Sequence, residues 1–295
     1  MTAPRLYAGR AVVLATMHSK EQAVAPAFEE HLRVSLTVPQ GLDTDLLGTF
    51  TGEVARVGTM LETAVAKAHA GMDLTGIALS IASEGSFGPH PLVPFVAGGI
   101  ELMVFVDRER GIIVHETLVS RSTNFAHYVV ANGSAGSLDE PARLFLDQVG
   151  FPAHAVIVRP HGGSTGNTGP ALAKGIRDPA RLHACIALAA SVSNDGHARI
   201  ETDMRAHMNP TRMTELALVA ERLARRLATP CPSCSAPGWG QVDVITGLPC
   251  EDCGAFTDLV AAEVFGCAAC SHRAEVARYG VGRFASAARC PECNP

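Results

Sequence analysis

Eight of the nine cysteines in this chain fall into four Cys-x-x-Cys pairs, Cys231/Cys234, Cys250/Cys253, Cys267/Cys270 and Cys290/Cys293. All of them lie after residue 229. Residues 235–249 separate the first two pairs and residues 271–289 the last two, gaps of fifteen and nineteen that suit a four-thiolate zinc ribbon. Two residues between cysteines let both sulfurs of a tight knuckle face one ion, and two knuckles complete the tetrahedron that Zn²⁺ prefers. Eight thiolates therefore imply two closed, structural sites with no open position for water. Sequential pairing, first knuckle with second and third with fourth, is the simplest arrangement. An interleaved one, first with third and second with fourth, stays open, and so does His272 in place of a thiolate. The competing reading is a disulfide framework. The opening MTAPRLYAGRAVVLATM lacks a basic region followed by a long apolar stretch, so a reducing cytoplasm fits the cysteines better.

A zinc module of 67 residues, 229–295, leaves 228 residues to account for. With 47% hydrophobic and 18% charged residues, the whole chain has enough apolar material for a large separate core. Two domains are expected, 1–228 and 229–295, with the boundary at Thr229-Pro230. No uninterrupted apolar run approaches the roughly 20 residues that span a bilayer, so a soluble chain is expected. The net charge is -5, and the tail carries four arginines, no lysine and seven acidic residues. Thiolate-bound zinc would make it more acidic still. Phosphate backbones attract the opposite sign, so a protein partner suits this module better than nucleic acid. A homodimer is an assembly that such a chain is free to form.

The first 228 residues alternate strand-like and helix-like signals, which predicts an α/β domain with a mixed, twisted sheet flanked by helices. Residues 11–15 read as a buried strand and 20–32 as a helix. A second helix is expected from about 53 to 72, a strand at 77–82, and an antiparallel pair at 100–107 and 112–118 around Arg110-Gly111. Further on, 138–149 and 181–192 read as helices and 155–158 as a strand, while 131–137 and 161–170 read as loops. Asn209 and Pro210 supply the cap and first position of a helix in which Met213, Leu216, Ala220, Leu223 and Leu227 recur at steps of three and four. Its charged residues Glu215, Glu221, Arg222, Arg225 and Arg226 read as a solvated face.

Polar residues gather where strands are expected to end. Thr16-Met17-His18-Ser19-Lys20 forms a turn between strand and helix, where backbone N–H groups and a lysine can cradle phosphate oxygens. Glu62 and Lys67 share the second helix. Ser83-Glu84-Gly85-Ser86 sits just beyond a predicted strand, where a carboxylate is well placed for Mg²⁺. The stretch 199–212 packs Glu201, Asp203, Arg205, His207, Asn209 and Arg212 together, so that Arg205 can clamp phosphate while Asp203 or His207 orients water. His90, His115 and His127 read as ordinary histidines, and Cys185 as a buried small hydrophobe.

Three of these segments resemble the inosine triphosphate pyrophosphatase superfamily, over about residues 10–90. LATMHSKEQAVAPAF is similar to the family's opening strand, Thr-x-Asn-x-x-Lys turn and helix; ETAVAKA to its Glu-Asn-Ala-x-x-Lys-Ala helix; ASEGSFG to its acidic loop. His18 stands where the family has asparagine, as does Thr63, and Ser83-Glu84 replaces Asp-Asp. The later Ser-His-Arg motif is not present as such, Asp203-Met204-Arg205 lying in a comparable position. Taken whole, the chain also resembles an uncharacterised bacterial family of unknown function that joins such a domain to a cysteine-rich end.

The resemblance implies metal-dependent hydrolysis of a nucleoside triphosphate or related phosphoanhydride. Glu84, Glu62 and Asp203 would form the catalytic set, with Mg²⁺ held by Glu84 and Glu62. Thr16, His18, Lys20, Lys67, Ser86 and Arg205 would bind substrate. The alternative is a non-catalytic nucleotide sensor or adaptor whose zinc module binds a protein partner.

Overall fold

The computed structural model describes residues 6–48, 54, 56, 58–130, 138–162, 170–278 and 282–295. The first sheet has five strands in the order β2-β1-β3-β4-β5. Strands β1 (Ala11–Leu14), β2 (Ser35–Thr37) and β3 (Leu79–His90) run parallel, whereas β3, β4 (Val93–Asp107) and β5 (Ile112–Ser120) form an antiparallel meander. The sheet is therefore mixed, as its sequence pattern requires. Side chains alternate between its faces along the central strands. Leu79, Ile81, Met103 and Phe105 join one core with Val12, Leu14 and Phe28. Ala82, Leu102, Val104 and Val106 join another with Ala64, Ala68 and Met72.

Helices α1 (Glu21–Leu32) and α5 (Pro210–Ala228) cover the first face, and α2 (Met60–Thr75) the second. The start of α2 is set by a capping box in which Glu62 N donates to Thr59 Oγ1 and Thr59 N to Glu62 Oε2, at 3.2 and 2.8 Å. Gly76, left-handed at φ 72°, closes its other end. The helix thus begins several residues later than its apolar spacing suggests; part of the expected first turn, Glu53 and Val57, lies outside the described residues. Asn209 caps α5 as expected, its Oδ1 accepting from Arg212 N at 3.0 Å.

A second, antiparallel sheet orders β6 (His127–Val130), β9 (Ala198–Thr202), β7 (Val156–Pro160) and β8 (Ala173–Ile176) as β6-β9-β7-β8. Its core is shared with α3 (Glu140–Gln148) and α4 (Pro179–Val192) through Val156, Val158, Ile200, Phe145, Leu182 and Ile186. The expected loop at 131–137 and most of that at 161–170 lie outside the described residues.

The C-terminal module is a three-stranded antiparallel sheet of β10 (Gly240–Thr246), β11 (Val260–Gly266) and β12 (Arg273–Ala277). Its cysteines are paired by the interleaved arrangement, which corrects the simpler sequential one. Cys231, Cys234, Cys267 and Cys270 form one cluster; Cys250, Cys253, Cys290 and Cys293 form the other. Strand direction is the reason. Each seven-residue strand carries the chain roughly 20 Å from one end of the sheet to the other, so a knuckle after β10 cannot reach the one before it. The return along β11 brings the third knuckle beside the first, and β12 brings the fourth beside the second. His272 joins neither cluster and instead stacks on Trp239, ring centroids 5.1 Å apart.

Among the described residues no helix is long and apolar enough to cross a membrane.

Candidate functional site: a cationic cleft and two thiolate clusters

The cleft starts at the turn after β1. Ser19 adopts a left-handed conformation, φ 51°, which swings the chain from β1 into α1. Lys20 occupies the N-cap position of that helix without capping it. Its ammonium group reaches across to β3, where Ser83 Oγ accepts at 3.0 Å and Ser83 O at 3.4 Å. On the other flank, α2 presents Lys67, which ion-pairs with Glu84 Oε1. Arg56 lies 3.3 Å from Glu84 Oε2 and donates to Gly85 O at 2.9 Å. Thr16, Lys20, Lys67, Ser83 and Glu84 are all less than 9% exposed. Together with His18, Thr44, Asp45, Gly48, Val54, Arg56 and Gly85 they line a cavity of about 190 Å³.

Glu84 is not at a strand end. Strand β3 continues without interruption to Pro89, with Glu84 paired to Leu102 and Ser86 to Ile100. The apolar run that suggested a strand ending at Ala82 is only its inner half. Polar residues continue the strand because buried Lys67 of α2 and half-exposed Arg56 of the preceding segment meet them there.

A second cavity, about 250 Å³, shares Arg56 and Gly85 with the first and runs towards the second sheet. Its lining includes Phe87 and Phe125, whose rings stand 6.4 Å apart, with Arg159, Arg199 and Glu201 opposite. Glu201 is held between two guanidinium groups, Arg159 Nε at 2.9 Å and Arg199 Nε at 2.7 Å. Behind Gly85 lies a buried pair in which Arg212 Nε donates to Glu101 Oε1 at 2.6 Å. A Cβ on Gly85 would stand 2.6 Å from Arg212 Nη2 and 2.9 Å from Glu101 Oε1, so the backbone passes there only as glycine.

The sequence-derived site residues thus divide. Thr16, His18, Lys20, Lys67 and Glu84 meet in the first cavity, and Ser86 and Asp203 line the second. Glu62 stands apart, exposed on the α2 cap with its carboxylate committed to Thr59, whose hydrogen bonds hold it below the usual carboxylate range. Asp203 is fully buried; it accepts from Arg205 Nη2 at 2.7 Å and from Gly175 N at 3.0 Å. Arg205 is occupied by the same pair. Arg56, Asp45, Phe87 and Arg159 are functional candidates that sequence spacing did not single out. Arg56 comes from a segment without periodicity, and the second sheet's arginines alternate on a strand like any surface residues.

Electrostatics in the first cavity follow from burial. Lys20 is pushed down to about 7, first by desolvation and then by the Arg212 charge. His18 is pushed down to about 3, chiefly by burial and then by Lys20. It stacks on His207 with centroids 5.1 Å apart, and burial also lowers His207. Both shifts favour the neutral ring. The carboxylates expected to hold Mg²⁺ do not converge: Glu84 pairs with Lys67 and Arg56, Glu62 with Thr59 on the α2 cap, and Asp203 with Arg205.

The thiolate clusters do fit a metal. Sulfur–sulfur separations are 3.9 and 3.6 Å in each cluster, Cys231–Cys270 and Cys234–Cys267 in the first, Cys250–Cys293 and Cys253–Cys290 in the second. The edge of a Zn(Cys)₄ tetrahedron with bonds of about 2.3 Å is close to 3.8 Å. Backbone N–H groups of Ser233, Asp252 and Ala269 donate to Cys231, Cys250 and Cys267 Sγ at 3.2–3.4 Å, which supports the anionic thiolate.

Fold and clusters together define an α/β protein with a C-terminal double metal ribbon. Residues 67–295 match the family described as a domain of unknown function, DUF6671, and the chain belongs to that family. No curated protein matches it. Among solved structures, the protein VC0702 from Vibrio cholerae is similar over 38% of this chain and 64% of its own, at 11% identity and a TM-score of 0.26.

Proposed function

We propose that the cleft binds a nucleotide and hydrolyses its phosphoanhydride bond, with two structural Zn²⁺ ions in the C-terminal module. The observation that carries this reading is the adjacency of two unlike cavities, which share Arg56 and Gly85. One gathers Lys20, Lys67 and Arg56 with the carboxylates of Glu84 and Asp45, and the other is lined by the rings of Phe87 and Phe125 and by Arg159 and Arg199 beside Glu201. Phosphates suit the first: anion binding in a buried, cation-rich pocket gains from the low dielectric and from the N-terminus of α1 beside it. A base suits the second, against Phe87 and Phe125. The likeness of LATMHSKEQAVAPAF, ETAVAKA and ASEGSFG to the inosine triphosphate pyrophosphatase superfamily supports the same reading. Mg²⁺ enters as the counter-ion of the nucleotide, not through a protein carboxylate cluster.

Turnover by the zinc-loaded full chain tests it. A panel of nucleoside triphosphates with Mg²⁺ is read for phosphate and pyrophosphate release, beside Lys67→Met. We expect release from at least one nucleotide, reduced about 10²-fold or more in the variant. No release from any of them overturns the hydrolase.

A second reading, a nucleotide-binding adaptor, draws on the zinc module. Val242, Val244 and Val276 are about 40% exposed on its sheet, and Phe256 77%. Binding without turnover in the same panel favours it.

A further inference from the structure

Among the described residues Lys20 differs from the other lysine and arginine side chains that line or back this cleft. Lys67 and Arg56 share Glu84, Arg212 holds Glu101, and Arg159 and Arg199 hold Glu201. The hydrogen bonds of the Lys20 ammonium go to two neutral oxygens of Ser83. Ser83 is 4% exposed, lines the first cavity, and its hydroxyl is 3.0 Å from Lys20 Nζ. A serine hydroxyl within hydrogen-bond reach of a basic amine, both facing one enclosed cavity, is the arrangement an activated oxygen nucleophile requires.

We propose that Ser83 is a nucleophile and Lys20 its general base, acting on a phosphorus centre held in the first cavity. Charged groups from each neighbouring element bear on Lys20. Arg212 of α5 and Lys67 of α2 disfavour its protonated form, while Glu101 of β4 and Glu84 of β3 favour it, and burial outweighs them all. The result is an amine that exchanges its proton near neutrality. Ser83 Oγ bonds to phosphorus as its proton passes to Lys20 Nζ. The bridging P–O bond breaks, and the departing phosphate oxygen takes the proton from Lys20. Water then attacks the Ser83 phosphoester, giving its proton to Lys20, and Ser83 Oγ leaves and is reprotonated. Lys67 and Arg56 line the same cavity and face the charge that develops on phosphorus. The choice of a nucleotide as substrate rests on the function proposed above; the dyad itself does not.

An alkyl fluorophosphonate tests the dyad without a nucleotide, since Ser83 Oγ displaces fluoride and forms a stable phosphonate ester. The zinc-loaded full chain is labelled and mapped by peptide mass. The expected result is one adduct on Ser83, with a rate that rises with pH through the titration of Lys20. Lys20→Arg keeps a long cation that cannot act as base, and is expected to label about 10²-fold more slowly or less while melting cooperatively. Absence of an adduct on Ser83 across that pH range overturns the proposal, as does equal labelling of Lys20→Arg. Nucleotide turnover retained in a folded Ser83→Ala variant overturns it too and leaves the nucleotide reading standing. An adduct on Ser83 without nucleotide turnover supports the dyad and removes the substrate.

Discussion

Lys20 and Lys67 are buried to the same degree and line the same cavity, yet only Lys67 has a carboxylate of its own. The difference should appear in stability. The folded state holds Lys20 at about 7, against 10.5 for the free side chain. Between those values the unfolded chain binds a proton that the folded chain does not, so this group makes stability rise with pH. Below about 7 its full penalty is present; above 10.5 it has vanished. Lys20→Met is therefore expected to melt higher than wild type at neutral pH, with the gain shrinking as pH rises towards 10.5. A gain that is constant with pH, or a loss at neutral pH, would show that Lys20 is charged and solvated in the folded protein. Spacing on the sequence could place Lys20 in a phosphate-cradling turn, because that needs only a strand, a turn and a helix. It could not show that Ser83 lies across from it, since residues 63 apart meet only when β1 and β3 pair.

Most helices were legible because their signals are local. Asn209-Pro210 and the three-four apolar steps place α5, and the same logic places α3 and α4 to within a few residues. Strand β3 was half legible. Its outer half carries Glu84, Gly85 and Ser86, and only the cations that arrive from elsewhere make burial of that carboxylate tolerable. The charged face of α5 was misread for a related reason. Arg226 is no solvated residue; it donates to Gly238 O at 3.1 Å and His115 O at 3.0 Å, and pairs with Glu116. Glu215 is likewise buried. At this scale Gly85 is the sharpest test. Gly85→Ala forces a Cβ against the Arg212–Glu101 pair, and overpacking of this kind costs roughly 1–3 kcal/mol. Chemical denaturation is expected to show that loss. An unchanged midpoint would mean that the added methyl group meets no such pair.

The whole molecule is less separable than its sequence suggests. The expected domain boundary falls at Thr229-Pro230, but the proximal thiolate cluster is packed on the α/β core. Ala236 and Ala268 touch that core, and a Cβ on Gly238 would lie 2.6 Å from Val114. The distal cluster is at the far end of the ribbon. Metal binding and folding are coupled in such sites, so the two clusters should fail differently. Cys250→Ser is expected to lose one zinc of two and leave the fluorescence of Trp239, the single tryptophan, unchanged. Cys231→Ser should lose the other zinc, shift Trp239 emission through its stack on His272, and lower the melting temperature of the α/β domain. Identical behaviour of the two variants would contradict the interleaved pairing. Calorimetric titration of the zinc-loaded chain shows whether the adjacent cavities hold phosphates in one and a base in the other. Inorganic tripolyphosphate and nucleoside triphosphates, each with Mg²⁺, are compared. One site per chain is expected for both, with the best nucleotide binding at least about fivefold tighter, as one stacked base is worth about 1–3 kcal/mol. Equal affinities for tripolyphosphate and every nucleotide, or no saturable heat from either, would contradict it.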